Sequence, residues 1–482
     1  PQWMPAMAAT PWMIILVSIL LIAGPVGKSA QFPLHEWLPE AMSGPGPVSA
    51  LIHAATMVKS GVFLIARFIP IFYYAYWSAG VEEAMYFFHI VAWIGAITAF
   101  LAASQGLVAL ELKKVLAYST VSQIGYMMLA LGVSGYSQDI LISGYTAGIF
   151  HLMSHAMFKA CLFLCAGTVI HAAHSIYINE MGALRKFLPY TWLFMGLATL
   201  SLIGVPPFPG FWSKETVLKS ALESQHYVLF AIALISVIFT AFYSMRYFGM
   251  MFHGQASAHI EKETSKAHHH VGEGYFPQTF ACGALAVGIV LFGLFGLKAE
   301  HFLHHLFEIE LVHDLSLDTL HLHPAFSKTL MVSLSVGSVL LGAVPAYLFY
   351  FARKWNPQTV YDLSPIMRMI HAFLWNRWYI NAFYNWVFIQ GVMRLARAVA
   401  DLIEKGVDTL AHRILPSLVF ACSKISVTID QEGIDGILDG GAYQVQSSAG
   451  GGLSKIQTGR IQEYLALAVF VAMIIFAAVW FF

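Results

Sequence analysis

The sequence predicts an all-α membrane protein with about ten transmembrane helices, two of them discontinuous, and a long amphipathic helix lying flat. Three observations carry this. Of 482 residues, 58% are hydrophobic and 11% are charged, against roughly 25% charged in a soluble domain. Apolar runs long enough to cross a hydrocarbon core, about 20 residues of helix, recur along the chain. The interruptions are patterned: proline and glycine clusters sit beside lysines in two of the runs. Mean hydropathy is +0.68. This composition excludes a disordered chain and argues against an ordinary water-soluble enzyme. It also excludes a nucleic-acid binder, because 26 Lys+Arg balance 26 Asp+Glu and leave no basic excess for a phosphate backbone.

The apolar stretches run over 10–30, 47–72, 84–104, 115–133, 142–172, 189–222, 226–251, 276–297, 328–351 and 461–482. Gly24, Pro25, Gly27 and Pro33 predict a break at the end of the first. Pro206, Pro207 and Pro209 remove helix donors and predict another inside 189–222. The run at 142–172 is long enough to tilt or to be split at Gly148. The chain opens at Pro1 with no basic segment ahead of an apolar one, so no cleavable signal peptide is predicted there. Cys161, Cys165, Cys282 and Cys422 contain no C-x-x-C pair; Cys161 and Cys165, one helical turn apart, read as packing residues.

Loop charges test this count. Alternate loops carry Lys113/Lys114, Arg185/Lys186, Lys262/Lys266 and Arg353/Lys354. The intervening loops carry Glu82/Glu83, Asp139, and the set Glu300, Glu308, Glu310, Asp314 and Asp318. Basic loops mark the cytoplasmic or equivalent side, which places both chain ends outside. The first loop, with His35, Glu36 and Glu40, is an exception to the rule.

Residues 374–450 have a different pattern. Arg394, Arg397, Asp401, Lys405, Asp408 and His412 are spaced 3, 4, 4, 3 and 4, a single helical stripe between apolar residues. This predicts an amphipathic helix lying along a membrane or another protein, with a soluble helical hairpin as the alternative. Arg397 with Asp401, and Asp401 with Lys405, have the spacing to pair, and Pro416 should interrupt the helix. Ser447–Gly452 is a Gly/Ser-rich lead into the last span.

Function is written in the ionisable residues at membrane depth. A lysine at a helix centre costs about 2.5–3.5 kcal/mol to insert. Such a residue either snorkels near an interface or moves charge. Lys28 and Lys214 each adjoin a predicted break, with Glu215 next to the latter; paired broken helices point to a transport site. His53 lies within the second run and reads as a core histidine or as a proton relay. His151, His155 and Lys159 fall at i, i+4, i+8 on one helix face. A hydrated proton relay suits them best. A zinc site, or haem ligation with His53, is the competing reading, and H-L-M-S-H lacks the general-base Glu of a metalloprotease. Lys113 and Lys114 read as inner-side anchors, or one as an inward-pointing member of the path. His268–His270 read as a solvated loop. No phosphate loop, Rossmann fingerprint or nucleophile elbow occurs, so nucleotide-driven transport finds no support in this chain.

Four segments carry a family resemblance: VGKSAQFPLHEWLPEAMSGPGPVSALIHAATMVKSGVFLIAR (26–67), ELKKVLAYSTVSQIGYM (111–127), HLMSHAMFKACLF (151–163) and GFWSKE (210–215). They closely resemble the antiporter-like subunits of complex I, the proton-pumping NADH:quinone oxidoreductase. The lateral helix followed by one span resembles subunit L among them. The resemblance implies inverted five-helix repeats, each with a broken helix. On this chain it implies the remainder of a first repeat at 1–74, a second repeat at 75–251, and two additional helices with loops at 252–373. The lateral helix would follow at 374–450 and an anchor at 451–482. It further implies a proton path in which Lys28, His53, Lys114, His151, His155, Lys159, Lys214 and Glu215 match the family's functional positions. Gly46 and Lys59 depart from the pattern, and Glu215 stands where some members carry Asp. The family also has helices ahead of Lys28, one bearing a glutamate that pairs with this lysine. The implied function is proton translocation without a redox centre, cofactor or metal in this chain. NADH or another donor, flavin, iron–sulfur clusters and quinone would reside in partner subunits. The implied partners are antiporter-like subunits M and N, small membrane subunits along the lateral helix, and the lipid bilayer. The implied location is the cell membrane of a bacterium or archaeon. An Mrp-type cation/proton antiporter subunit is the alternative within the same motifs. A membrane haem protein and a purely structural scaffold are alternatives from other classes.

Overall fold

The computed structural model describes residues 10–265, 272–315, 328–428 and 459–481. The described residues are helical and contain no β-strand, only an isolated bridge between Glu111 and Tyr177. Two compact units emerge, 1–381 and 382–482. The His268–His270 loop, Lys266, Asp318 and the Ser447–Gly452 lead lie outside the described residues.

In the first unit, α1 (Pro11–Lys28) stops at Lys28, and a loop with the short helix Trp37–Glu40 follows. Then α2 (Gly46–Ala50) runs into a π-helical turn, Leu51–Ala55, and the chain leaves helical geometry at Thr56 (φ −123°, ψ −79°) before α3 (Lys59–Tyr73). This interruption has no proline or glycine to announce it. Next come α4 (Met85–Gly106), α5 (Leu112–Val133) and α6 (Leu141–Ala173). The expected alternative of a split at Gly148 does not occur. A Cβ at Gly148 would lie 2.7 Å from Leu131 Cγ, so this glycine admits α5 rather than breaking α6.

The proline break is where the sequence places it. α7 (Pro189–Ile203) ends at Gly204 in the left-handed region (φ +93°), and α8 (Pro209–Glu223) starts with Pro209 in the first turn. α9 (Tyr227–Phe252), α10 (Phe276–Leu294), α11 (Gly296–Leu315) and α12 (Lys328–Tyr350) complete the helices that surround this bundle. α5 is the most enclosed helix, with its span entirely buried among the others. Cys161, Cys165 and Cys282 are buried, with Cys161 Sγ 4.0 Å from Cys165 Sγ, as packing residues should be.

Among the described residues, nine helices are long and apolar enough to cross a membrane, and Trp12–Lys28 and Pro189–Ile203 are shorter apolar helices that end at breaks. One of the nine is Arg377–Thr428, with 52 residues. At about 1.5 Å per residue it would extend roughly 78 Å, against a hydrocarbon core of about 30 Å. Its length favours lying flat over crossing once. The second unit contains most of this segment, including α13 (Gly391–Asp408) and α14 (Leu415–Thr428), together with α15 (Ile461–Phe481). Two expectations are corrected here. Pro416 does not interrupt the helix: a π-helical turn, Thr409–Ile414, re-registers the backbone ahead of it, so its missing N–H falls in the first turn of α14. Arg397 with Asp401, and Asp401 with Lys405, do not close into ion pairs; the stripe's pair among the described residues is His412 with Asp408, at 3.6 Å. Exposed i,i+4 pairs are worth only a few tenths of a kcal/mol, too little to fix long side chains.

Candidate functional site

The middle of the first unit holds a row of buried cationic and imidazole side chains. α6 supplies His151, His155 and Lys159, all fully buried. Their spacing drifts slowly around the helix, so successive members meet different neighbours.

His151 is held at both ring nitrogens. Nδ1 lies 2.9 Å from Ser213 Oγ on α8, and Nε2 lies 3.2 Å from Gln123 Oε1 on α5. The Gln123 oxygen accepts only, so Nε2 carries hydrogen in the neutral ring. Ser213 Oγ can donate to Nδ1, or accept from it while donating to Pro209 O at 3.0 Å. The same two partners therefore fit imidazole and imidazolium, with only one hydroxyl rotating.

His155 is buried with no protein hydrogen-bond partner at either nitrogen. Its ring lies 6.3 Å from His151 and meets Phe158 edge-on at 5.2 Å. Lys59, Lys159, His151 and His53 all act on it electrostatically. His53 sits in the π-helical turn, stacked 4.5 Å from the Phe163 ring, and its nitrogens also lack protein partners. Burying a polar group without a partner costs about 1–3 kcal/mol.

Three lysines complete the row. Lys159 Nζ donates to Leu116 O at 2.9 Å and to Ser119 Oγ, both on α5, and stands 5.9 Å from the Phe163 ring centroid. Lys214 Nζ reaches back across the proline break to the carbonyls of Leu202 and Ile203, which end α7. The break thus supplies the acceptors that an unbroken helix would consume internally. Tyr126 lies 5.8 Å from the same ammonium. Lys59, at the start of α3, donates to Leu152 O at 2.7 Å, one residue from His151. Its position follows from the interruption at Thr56, which starts a new helix inside the bundle.

The row joins His53, His151, His155, Lys159 and Lys214 from the sequence-predicted set. Glu215 is half-buried beside Lys214. Lys28 is not joined to it; its side chain is exposed at the end of α1. Lys114 is at the basic end of the bundle, paired with Glu111 at 2.9 Å and Glu40 at 3.7 Å. Lys59, Gln123, Ser119 and Ser213 were missed as partners. Lys59 left one signal, a lysine standing where the family pattern has a small polar residue; the other three carry no signal outside three dimensions.

The ion pairs also explain the acidic first loop. Glu36 and Glu40 both accept from Arg377, and Glu40 faces Lys114. The loop therefore belongs to the basic end of the bundle, where its carboxylates are neutralised. Burial pushes the Glu36 carboxyl up, but His35 and Arg377 outweigh it and hold the group below its ordinary value.

The family model described as NADH:quinone oxidoreductase/Mrp antiporter, TM, matches residues 3–240. NAD(P)H-quinone oxidoreductase chain 5 of Picosynechococcus sp. is 36% identical over 96% of this chain and 65% of that protein. NADH-quinone oxidoreductase subunit L of Neisseria meningitidis is 35% identical over 95% of this chain and 64% of that protein. The chain thus spans just under two thirds of the length of these relatives. A solved structure of the Mrp complex from Dietzia sp. shares the fold, with a TM-score of 0.58 and 24% identity over 89% of this chain and 42% of that one. The described chain is an integral membrane protein by its helices, and with these matches it belongs to the family of antiporter-like membrane subunits shared by NADH:quinone oxidoreductases and Mrp antiporters.

Proposed function

We propose that this chain is the proton-translocating subunit of a complex I-type quinone oxidoreductase, coupling electron transfer in partner subunits to proton pumping. One observation carries the reading: His151 is held so that neutral and protonated rings are both satisfied, within a buried row of lysines and histidines. Identities of 35–36% to quinone oxidoreductase subunits favour this over an Mrp antiporter, for which the 24% likeness speaks to fold alone.

In this reading 1–74 is the remainder of the first repeat and 75–251 is the second. Electron transfer elsewhere alters the charge pairing of Lys28. A lysine whose acidic partner withdraws loses its proton more readily. The proton passes along water and the row His53, Lys59, His155, Lys159 and His151 to Lys214, with Glu215 beside it and Lys114 at the inner rim. Like charges at this depth repel through a low dielectric, so a proton gained by one member promotes loss from the next. Electrons stay in the partner subunits, which hold the donor, flavin, iron–sulfur clusters and quinone. Antiporter-like subunits of the M and N type and small membrane subunits flank the chain, the latter along the lateral helix. The bilayer is that of a bacterial or archaeal cell.

Lys214→Ala in the intact complex tests the reading. Proton pumping is expected to be lost while the complex assembles and the chain is retained. Normal pumping in this variant overturns the assigned role.

A further inference from the structure

Cavities open at both ends of the first unit. The larger, about 800 Å³, is lined by Asp139, Glu223 and His226 among others, at the acidic-loop end. The smaller, about 370 Å³, lies at the basic end. Its walls are the turn between α4 and α5, Tyr177, and the end of the short helix Pro365–Trp375.

Two buried side chains line this smaller cavity with polar atoms that have no protein hydrogen-bond partner. They are the hydroxyl of Tyr118, 2% exposed, and Oε1 of Gln105, 1% exposed. Their polarity is defined. Gln105 Nε2 donates to Glu36 Oε1 at 3.0 Å, and a carboxylate only accepts, so the amide oxygen is the end left over. The Tyr118 hydroxyl supplies a donor. An unmet acceptor and an unmet donor are costly where they are buried, and a ligand carrying the complements removes that cost.

Charge narrows the ligand. Lys114, Arg377 and Glu111 also line the cavity. Lys114 Nζ meets Glu111 at 2.9 Å and Glu40 at 3.7 Å. Arg377 meets Glu36 and Glu40 through Nη1, and its Nε and Nη2 are further donors. With the Tyr118 hydroxyl, these cations suit a phosphate. Yet Glu36, Glu40 and Glu111 outnumber Lys114 and Arg377, so a headgroup of purely negative charge is opposed and one that brings its own cation is favoured. Gln105 Oε1 and Glu111 accept from N–H groups, which a primary ammonium has and a trimethylammonium lacks. The site also has an apolar side. Val108, Leu110 and Leu374 are in the wall, and Tyr177 and Trp375, 41% and 51% exposed, flank it as aromatic residues do at a membrane interface.

We propose that this cavity binds the headgroup of a phosphatidylethanolamine-type lipid. The phosphate sits on Tyr118, Lys114 and Arg377, and the ammonium on Gln105 and Glu111. The acyl chains leave past Tyr177 and Trp375. The bound lipid joins the α4–α5 turn to the helix Pro365–Trp375. This binding involves no proton movement and stands apart from the relay.

The test uses the intact complex in vesicles and a photoreactive phosphatidylethanolamine with a diazirine at the glycerol end of one acyl chain. Cross-links are mapped by peptide mass spectrometry. They are expected within 105–118 and 374–377, and unlabelled phosphatidylethanolamine should compete better than phosphatidylcholine or cardiolipin. Tyr118→Phe combined with Gln105→Leu should lower these cross-links about five-fold or more, with cross-linking elsewhere unchanged. No cross-link in these segments, equal competition by the three lipids, or undiminished cross-linking in the variant overturns the site. Soluble phosphoethanolamine should not displace the probe; displacement as effective as by the lipid assigns the cavity to a free phosphate ester and overturns the lipid. If the double variant fails to assemble, Val108→Phe, which fills the cavity from its apolar wall, replaces it with the same expected loss.

Discussion

In the proposed relay, single side chains decide whether the row conducts. Gln123 and Ser213 hold His151 in place without titrating themselves, and each contributes one hydrogen bond. A hydrogen bond of this kind is worth about 1–1.5 kcal/mol, close to a factor of ten in rate. Gln123→Leu and Ser213→Ala should each slow proton pumping about ten-fold, measured as the initial rate of acidification in vesicles, with the complex still assembled. Unchanged rates in both would mean that His151 needs neither partner. At this scale the sequence was informative where a repeat exposed the chemistry. His151, His155 and Lys159 fall on one face by spacing alone. Lys59 was not readable as a member, because its burial depends on the interruption at Thr56, which has no proline or glycine to mark it.

Helices and their junctions set where those side chains stand. α4 and α5 approach so closely that a Cβ on Gly125 would lie 2.6 Å from the backbone nitrogen of Ala99. Gly125→Leu should force the helices apart and destabilise the bundle by about 1–3 kcal/mol or more, read as a lower thermal midpoint of the purified complex. The junction into the lateral helix is strained in the opposite sense. Arg377, Trp378 and Tyr379 take left-handed backbone angles (φ 53°, 57° and 56°), at about 1–2 kcal/mol each. Contacts hold them there: Arg377 to Glu36 at 3.2 Å, and Trp378 Nε1 donating to Ser104 Oγ at 3.1 Å. Since the folded Glu36 value is below the ordinary 4.5, its contribution is full above about pH 4.5 and is lost as pH falls through the folded value. Amide exchange over 376–381 should rise on acidification through that window, and Arg377→Gln should raise it already at pH 7. The prolines made the break at 204–208 legible. The Arg377–Glu36 contact spans 341 positions, and no local pattern encodes it.

Across the whole molecule, charge placement reads as sidedness. Glu36, Glu40, Lys114 and Arg377 meet at one end, while Asp139, Glu223 and His226 line the cavity at the other. The buried row lies between them, so the proposed proton path would join the two ends. The acidic first loop looked like an exception in the sequence because its balancing charge comes from a distant segment. In the proposed function, protons cross through this row. The most direct test is the number of protons released per quinone reduced by the intact complex carrying Lys159→Met, which keeps the side-chain volume and removes the charge. A lower ratio or stalled turnover in a fully assembled complex is the predicted result. A complex that turns over at the normal rate with the normal ratio would contradict the claim.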